Sequence, residues 1–248
     1  MTETKFLNGP KGKIAYRHTP GRTGKQFLWA PGFNSDMQGT KVLEVEAWAR
    51  GAGHGFTAFD YGGHGASDGV FEELTVEDWH ADTLAVLEDI CTGPTMLLGS
   101  SMGAWMAMLA ARERPERVAG MVLVAPAPDF TARLMWPSMP PEGRFAITQQ
   151  GKWMQPSPYG DPVAITRALI ESGARLGVMG APFEFEGPVR ILQGMRDEEV
   201  PFSHAQALVQ TITSSDLTFT LVKDGDHRLS RPHDIARLLA TCEEIAED

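Results

Sequence analysis

Ser101 lies in the run Leu97-Leu98-Gly99-Ser100-Ser101-Met102-Gly103, with a glycine two residues away on each side. That pattern suits a nucleophile held on a sharp turn between a strand and a helix. The glycines let the two backbones approach without Cβ clashes and leave the serine strained and exposed. Ser100 has no such symmetrical flanks and is the weaker candidate. Five residues of this kind also fit an ordinary loop, since glycine and serine are common turn formers. The chemistry therefore has to be sought in partners elsewhere in the chain.

A serine hydroxyl needs a base to take its proton, and the base needs an acid to orient it. An acid, Asp197, follows the apolar run Val189 to Gln193 in Gly194-Met195-Arg196-Asp197, and a histidine, His227, closes the turn-rich Lys223-Asp224-Gly225-Asp226-His227. Glu198 and Glu199 compete for the acid's role, but Asp197 stands nearest the strand end. His64, His204 and His233 compete for the base's role from less suitable positions. The chain order Ser101, Asp197, His227 is that of a serine acyl-transfer site. Its tetrahedral intermediate needs N–H donors for the oxyanion. Met102, at a helix N-terminus, offers one. Phe33 offers the second from Pro31-Gly32-Phe33, a tripeptide that also reads as a plain turn. The glycine-rich loop 61–69, with His64 and Asp68, is read as structural flooring without chemistry. Such a mechanism calls for no metal and no cofactor.

These groups converge only if strand ends share one edge. Apolar runs at Gln26 to Ala30, Gly55 to Phe59, Thr95 to Leu98, Val118 to Val124, Val189 to Gln193 and Leu217 to Val222 alternate with helical stretches. Those stretches are Gly39 to Gly51, Thr75 to Ile90, Met102 to Arg114, His204 to Thr211 and Pro232 to Ile245. The alternation predicts an α/β fold, a mostly parallel sheet with helices on both faces. Thr75 followed by Asp78 predicts a capping box. Residues 4–7 and 13–18 predict an antiparallel hairpin turning at Asn8-Gly9-Pro10. One domain, 1–248, is expected, with a lid insertion at 129–187 rich in Pro, Met and Trp. Trp136, Trp153, Met154 and Tyr159 of this insertion either line an acyl-chain pocket or simply pack it onto the domain.

At 248 residues the chain fits one such domain with a large core. No apolar run approaches the roughly 20 residues of a membrane span. A net charge of −10 and a pI near 5.2 speak against nucleic-acid binding, which needs a basic surplus. Cys91 and Cys242 are far apart, so neither a disulfide framework nor a zinc site is expected, and a reducing compartment fits. The N-terminus lacks the marks of a secretory or organelle signal, which suggests a cytoplasmic protein, or a mitochondrial one if this is a processed eukaryotic form.

Taken together, Gly39-Thr40-Lys41, Phe59-Asp60-Tyr61-Gly62, Gly65-Ala66-Ser67-Asp68-Gly69, Gly99 to Trp105, Gly194 to Asp197 and Asp226-His227-Arg228 resemble the α/β-hydrolase family. Within it they are similar to the mitochondrial branch of palmitoyl-protein thioesterases that also cleave acyl glucuronides. The resemblance runs through nearly the whole chain and implies the α/β-hydrolase fold, with Ser101, Asp197 and His227 as the triad. It also implies an S-acylated protein or an acylated small molecule as substrate. The chain departs from common family patterns at Pro31, where many members carry histidine, and at Ala104, where a further glycine is frequent. Two alternatives stay open: a small-molecule carboxylesterase or lactone hydrolase, and a hydrolase-like ligand sensor without turnover.

Overall fold

The computed structural model describes residues 2–157 and 160–247. An eight-stranded sheet organises them. Its strands are β1 (Lys5–Gly9), β2 (Gly12–Thr19), β3 (Gln26–Ala30), β4 (Gly55–Phe59), β5 (Thr95–Ser100), β6 (Val118–Val124), β9 (Val189–Gly194) and β10 (Leu217–Val222), in the order β1-β2-β4-β3-β5-β6-β9-β10. From β4 to β10 the strands pair in parallel, while β2 runs antiparallel to both β1 and β4.

The central strands are buried along their whole length because both faces are covered. Side-chain alternation divides the core in two. Leu28, Leu97, Met121, Leu123 and Ile191 face helices α2 (Val76–Asp89), α3 (Met102–Glu113) and α7 (Phe202–Val209). Phe27, Trp29, Leu98, Val122 and Leu192 face α1 (Thr40–Ala52) and α8 (Pro232–Glu247). The expected capping box opens α2: Thr75 Oγ1 accepts from the Asp78 N–H at 3.4 Å, and Asp78 Oδ2 accepts from the Thr75 N–H at 3.0 Å.

The chain enters the parallel sheet at β3, moves outward through α1 to β4, then returns across β3 to β5. Such a reversal opens a crevice at the carboxyl ends of β3 and β5, where a ligand fits between diverging connections. The loops after β3, β4, β5, β9 and β10 all emerge on that edge.

One expectation needs correction. The first hairpin turns at Pro10-Lys11, with Asn8 paired to Lys13 and Gly9 to Gly12 inside the ladder. Proline's fixed φ suits the first corner of a tight turn, and Gly12 takes the positive φ of 146° that follows. The segment between β6 and β9 is also more regular than its composition suggests. A π-helical turn (Thr131–Met135) runs into α4 (Trp136–Ser138) and α5 (Pro141–Gln150), then a hairpin of β7 (Lys152–Ser157) and β8 (Gly160–Thr166), and α6 (Arg167–Arg175). Pro156 and Pro162 obscure the hairpin in the sequence, but a two-stranded ribbon has free edges on which missing N–H donors do no harm.

Candidate active site

Ser101 leaves β5 with φ 55° and ψ −117°, a left-handed backbone that costs a side-chain-bearing residue roughly 1–3 kcal/mol. The surroundings enforce it. A Cβ on Gly99 would strike the Gly103 carbonyl, and one on Gly103 would strike the carbonyls of Ala30 and Pro31, so α3 can start this close to β3 and β5 only with glycine at both places. The Ser101 N–H donates to the Val124 carbonyl at 2.9 Å, and its own carbonyl accepts from Ala104 at 3.0 Å and Ala127 at 3.2 Å. Ser100 lies buried within β5, paired with Val124.

The structure brings Ser101, His227 and Asp197 into line. His227 Nε2 is 3.1 Å from Ser101 Oγ, and His227 Nδ1 is 2.8 Å from Asp197 Oδ2. The Asp197 carboxylate is inaccessible to solvent and the His227 side chain is 16 % exposed. Asp197 Oδ1 accepts the N–H groups of Glu199 (3.0 Å) and Val200 (2.7 Å), and Oδ2 accepts Gln193 Nε2 at 3.0 Å besides the imidazole. With these bonds to the carboxylate, His227 Nδ1 is held as the donor and Nε2 is left facing the serine. Gln193 is a contributor the sequence reading missed. It also donates to the carbonyls of Gly194 (3.1 Å) and Val200 (3.0 Å), tying the acid's loop to the end of β9.

The competing residues have other positions. Glu199 Oε2 stands 3.7 Å from His227 Nε2, on a half-exposed side chain. His204 is buried against the Pro128 carbonyl at 2.9 Å, and burial pushes its pKa down. His233 is exposed beside Asp234. Lys41 donates to the Arg228 carbonyl in the His227 loop, and burial brings its pKa down to about 8.

Gly32 lies against the nucleophile: a Cβ there would sit 3.4 Å from Ser101 Cβ and 3.4 Å from the Ser100 carbonyl oxygen. The next residue, Phe33, occupies a turn closed by Ser35 N–H on the Gly32 carbonyl at 3.2 Å. Among the described residues neither the Phe33 nor the Met102 N–H has a protein acceptor. Both donors flank Ser101, one on its own helix and one on the abutting loop.

The apolar residues expected near an acyl chain differ in exposure. Trp136 and Trp153 are half-buried against the core beneath the α2–α3 face, with Trp153 stacked over Gly143. Met154 is 48 % exposed and, as Trp153's neighbour on β7, points to the opposite face of the hairpin. Tyr159 lies outside the described residues. No helix among the described residues is long and apolar enough to cross a membrane. Cys91 and Cys242 are both free and buried, and burial pushes their thiol pKa values up, Cys91 to about 11.

Comparison with known proteins agrees with this architecture. Residues 26–169 match the hydrolase family described as serine aminopeptidase, S33. The mitochondrial palmitoyl-protein thioesterase ABHD10 of Mus musculus is 35 % identical over 245 residues, covering 98 % of this chain and 82 % of that protein. A solved structure assigned as a hydrolase from Agrobacterium vitis is 40 % identical, with a TM-score of 0.94 and 99 % of each chain covered. That of mouse alpha/beta hydrolase domain-containing protein 10 is 34 % identical with a TM-score of 0.90, again over 99 % of each chain. With a matched family over more than half its length and relatives of this identity along nearly all of it, the chain belongs to the α/β hydrolases, in the serine aminopeptidase S33 family.

Proposed function

We propose that this protein cleaves acyl thioesters and esters through a Ser101 acyl-enzyme. The observation that carries the proposal is the unbroken hydrogen-bonded line from Ser101 through His227 to the buried Asp197. Ser101 Oγ attacks the acyl carbonyl carbon while His227 Nε2 takes the hydroxyl proton, and Asp197 stabilises the imidazolium. The carbonyl oxygen, now an anion, is met by the N–H groups of Phe33 and Met102. Collapse expels the leaving group, which takes the proton from His227 if it is an alcohol. A thiol, with a pKa of about 8.5, departs as thiolate with little help and takes up the His227 proton afterwards, leaving the imidazole neutral. Water, deprotonated by His227, then releases the acid and restores Ser101.

The relatives named palmitoyl-protein thioesterase support an S-acylated protein or another long-chain acyl thioester or ester as substrate, and the resemblance of the sequence motifs adds acyl glucuronides. The segment at 129–187 acts as the lid, with Trp136 and Trp153 as candidate walls for the acyl chain and Met154 at its outer face. A series of acyl thioesters and aryl esters from two to sixteen carbons, assayed on the natural enzyme and on Ser101→Ala in parallel, tests both parts. Activity rising toward long chains and vanishing in Ser101→Ala supports the proposal. A short-chain optimum indicates a small-molecule carboxylesterase instead, and full turnover by Ser101→Ala removes the mechanism.

A further inference from the structure

The loop between β4 and α2, 60–75, carries a histidine that the acyl-transfer steps do not use. His64 is 5 % exposed and lies on the far side of the turn that holds Phe33. Its Nε2 is 3.1 Å from the Asn34 nitrogen, and its Nδ1 is 3.1 Å from the Gly62 carbonyl oxygen. These two partners fix the protonation state without ambiguity. The Asn34 amide can only donate, so Nε2 must be an unprotonated acceptor, and the Gly62 carbonyl can only accept, so Nδ1 must carry the proton. Only the neutral imidazole, in one tautomer, satisfies both. Burial acts in the same direction and lowers its pKa to about 4, against the opposing pulls of the Gly62 carbonyl and of Asp36.

The support continues behind the ring. The Gly62 N–H donates to Asp82 Oδ2 at 2.8 Å, and the Gly62 carbonyl accepts from Trp79 Nε1 at 3.2 Å as well as from His64. Phe71 and Trp79 pack edge-on against the imidazole with centroids 5.0 and 5.3 Å away, and the same two rings, 5.7 Å from each other, hold the Phe33 side chain at 5.2 and 5.8 Å in one cluster. Asn34 has φ 53°, the left-handed corner that the third position of a type II turn requires. Asparagine is among the few side-chain-bearing residues that take this conformation readily, and the bond to His64 anchors it from outside the turn. The same bond occupies the Asn34 N–H, so of the two adjacent donors on this loop only that of Phe33 is left to face the reacting carbonyl.

From this geometry we infer that His64 is the positioning residue of the oxyanion loop, a neutral hydrogen-bond acceptor that clamps Asn34 and thereby aims the Phe33 N–H. The inference rests on the reading of Phe33 as an oxyanion donor. It touches no reacting atom, so its contribution lies in the accuracy with which the donor meets the transition state. Misplacement by about 1 Å can cost on the order of a hundredfold in rate.

Three substitutions separate this role from general support of the fold. His64→Gln can place its amide oxygen where Nε2 stands and keep the bond to Asn34, His64→Asn reaches only Gly62, and His64→Phe loses both. Hydrolysis of 4-nitrophenyl butyrate is measured per active serine, counted by end-point labelling with a fluorophosphonate, and affinity is measured for a trifluoromethyl ketone whose adduct carries the oxyanion. The expected result is a fall in kcat on the order of ten- to a hundredfold in His64→Asn and His64→Phe, KM within about twofold, a parallel loss of ketone affinity, and rescue to within a few-fold in His64→Gln. If His64→Phe does not fold, His64→Asn carries the comparison. Unchanged kcat per active serine in His64→Asn, a loss confined to KM, or a His64→Gln variant as impaired as His64→Asn overturns the inference. Failure of the acyl-enzyme mechanism to which the Phe33 donor belongs is a separate result, undiminished turnover in Ser101→Ala.

Discussion

Gln193 and Asp197 are joined across the first turn after β9 by a 3.0 Å hydrogen bond from Nε2 to Oδ2, the oxygen that also receives His227. The glutamine, next to last in β9, faces inward with no exposed surface and spans the acid's loop by donating to both of its ends. Replacing it with leucine keeps the volume and leaves two buried carbonyls and the carboxylate short of a donor. Gln193→Leu is expected to lower kcat on the order of tenfold with KM little changed, and to cost about 1–3 kcal/mol of stability. Steady-state kinetics beside urea unfolding check both, and equal loss in kcat and KM would count against a role in orienting Asp197.

Ser101 pays for its exposure in backbone strain, and glycine releases that strain whereas alanine does not. Ser101→Gly is expected to be inactive yet more stable than Ser101→Ala by about 1 kcal/mol. For a domain of this size that corresponds to a Tm higher by about 2–4 °C, readable by calorimetry. Equal Tm values would mean that the positive φ carries no cost here.

Gly103 and Gly32 distinguish two kinds of glycine requirement. A methyl group on Gly103 meets the Ala30 and Pro31 backbone, which cannot move without parting α3 from β3, so Gly103→Ala is expected to prevent folding or to yield insoluble protein. On Gly32 the nearest atoms are 3.4 Å away, ordinary contact distance, and one of them is Ser101 Cβ. Gly32→Ala is expected to fold with a near-normal Tm and to lose activity, because its methyl crowds the nucleophile. Circular dichroism melts and ester hydrolysis on the two variants read out the contrast.

Asp82 supplies a pH test. Burial raises its pKa from 3.8 to about 6, with the Gly62 N–H pulling weakly the other way. Between those two values the folded chain holds the proton more tightly than the unfolded chain. Stability from this group is therefore full below about pH 4, declines as pH rises through 6, and is level above it. Asp82→Asn removes the titration while keeping an acceptor for Gly62. Its stability relative to the natural protein is expected to be greater at pH 7.5 than at pH 4 by up to about 3 kcal/mol. Denaturant titrations at the two pH values decide it, and a pH-independent difference would show that Asp82 is not held in a protonated state by burial.

Much of this was legible because it depends on local patterns. The apolar runs at 26–30, 95–98 and 118–124 read as central strands because they are short, alternate with helical stretches, and so bury both faces in a parallel sheet. Gly99 and Gly103 declared the turn at Ser101, and the order of Asp197 and His227 put their loops on one edge of the sheet. The unread parts depend on contacts distant in sequence. A histidine among glycines looks the same whether solvated or clamped, and only the approach of Asn34, 30 residues earlier, gives His64 its partner. Gln193 reads as the last polar residue of a strand until the loop of Asp197 folds back over it. The β7–β8 hairpin has prolines in both strands, which the local rules count against a sheet.

The histidine's strand is also the sheet's last. β10 reads Leu-Thr-Phe-Thr-Leu-Val, six residues with no charge, proline or glycine, paired on one side only. That is the composition of a self-adhesive segment, and Asp216 and Lys223 stand at its two ends as charged guards. Once β10 peels from β9, the loop bearing His227 loses its anchor and the strand gains a surface for others of its kind, so inactivation and clumping begin from one event.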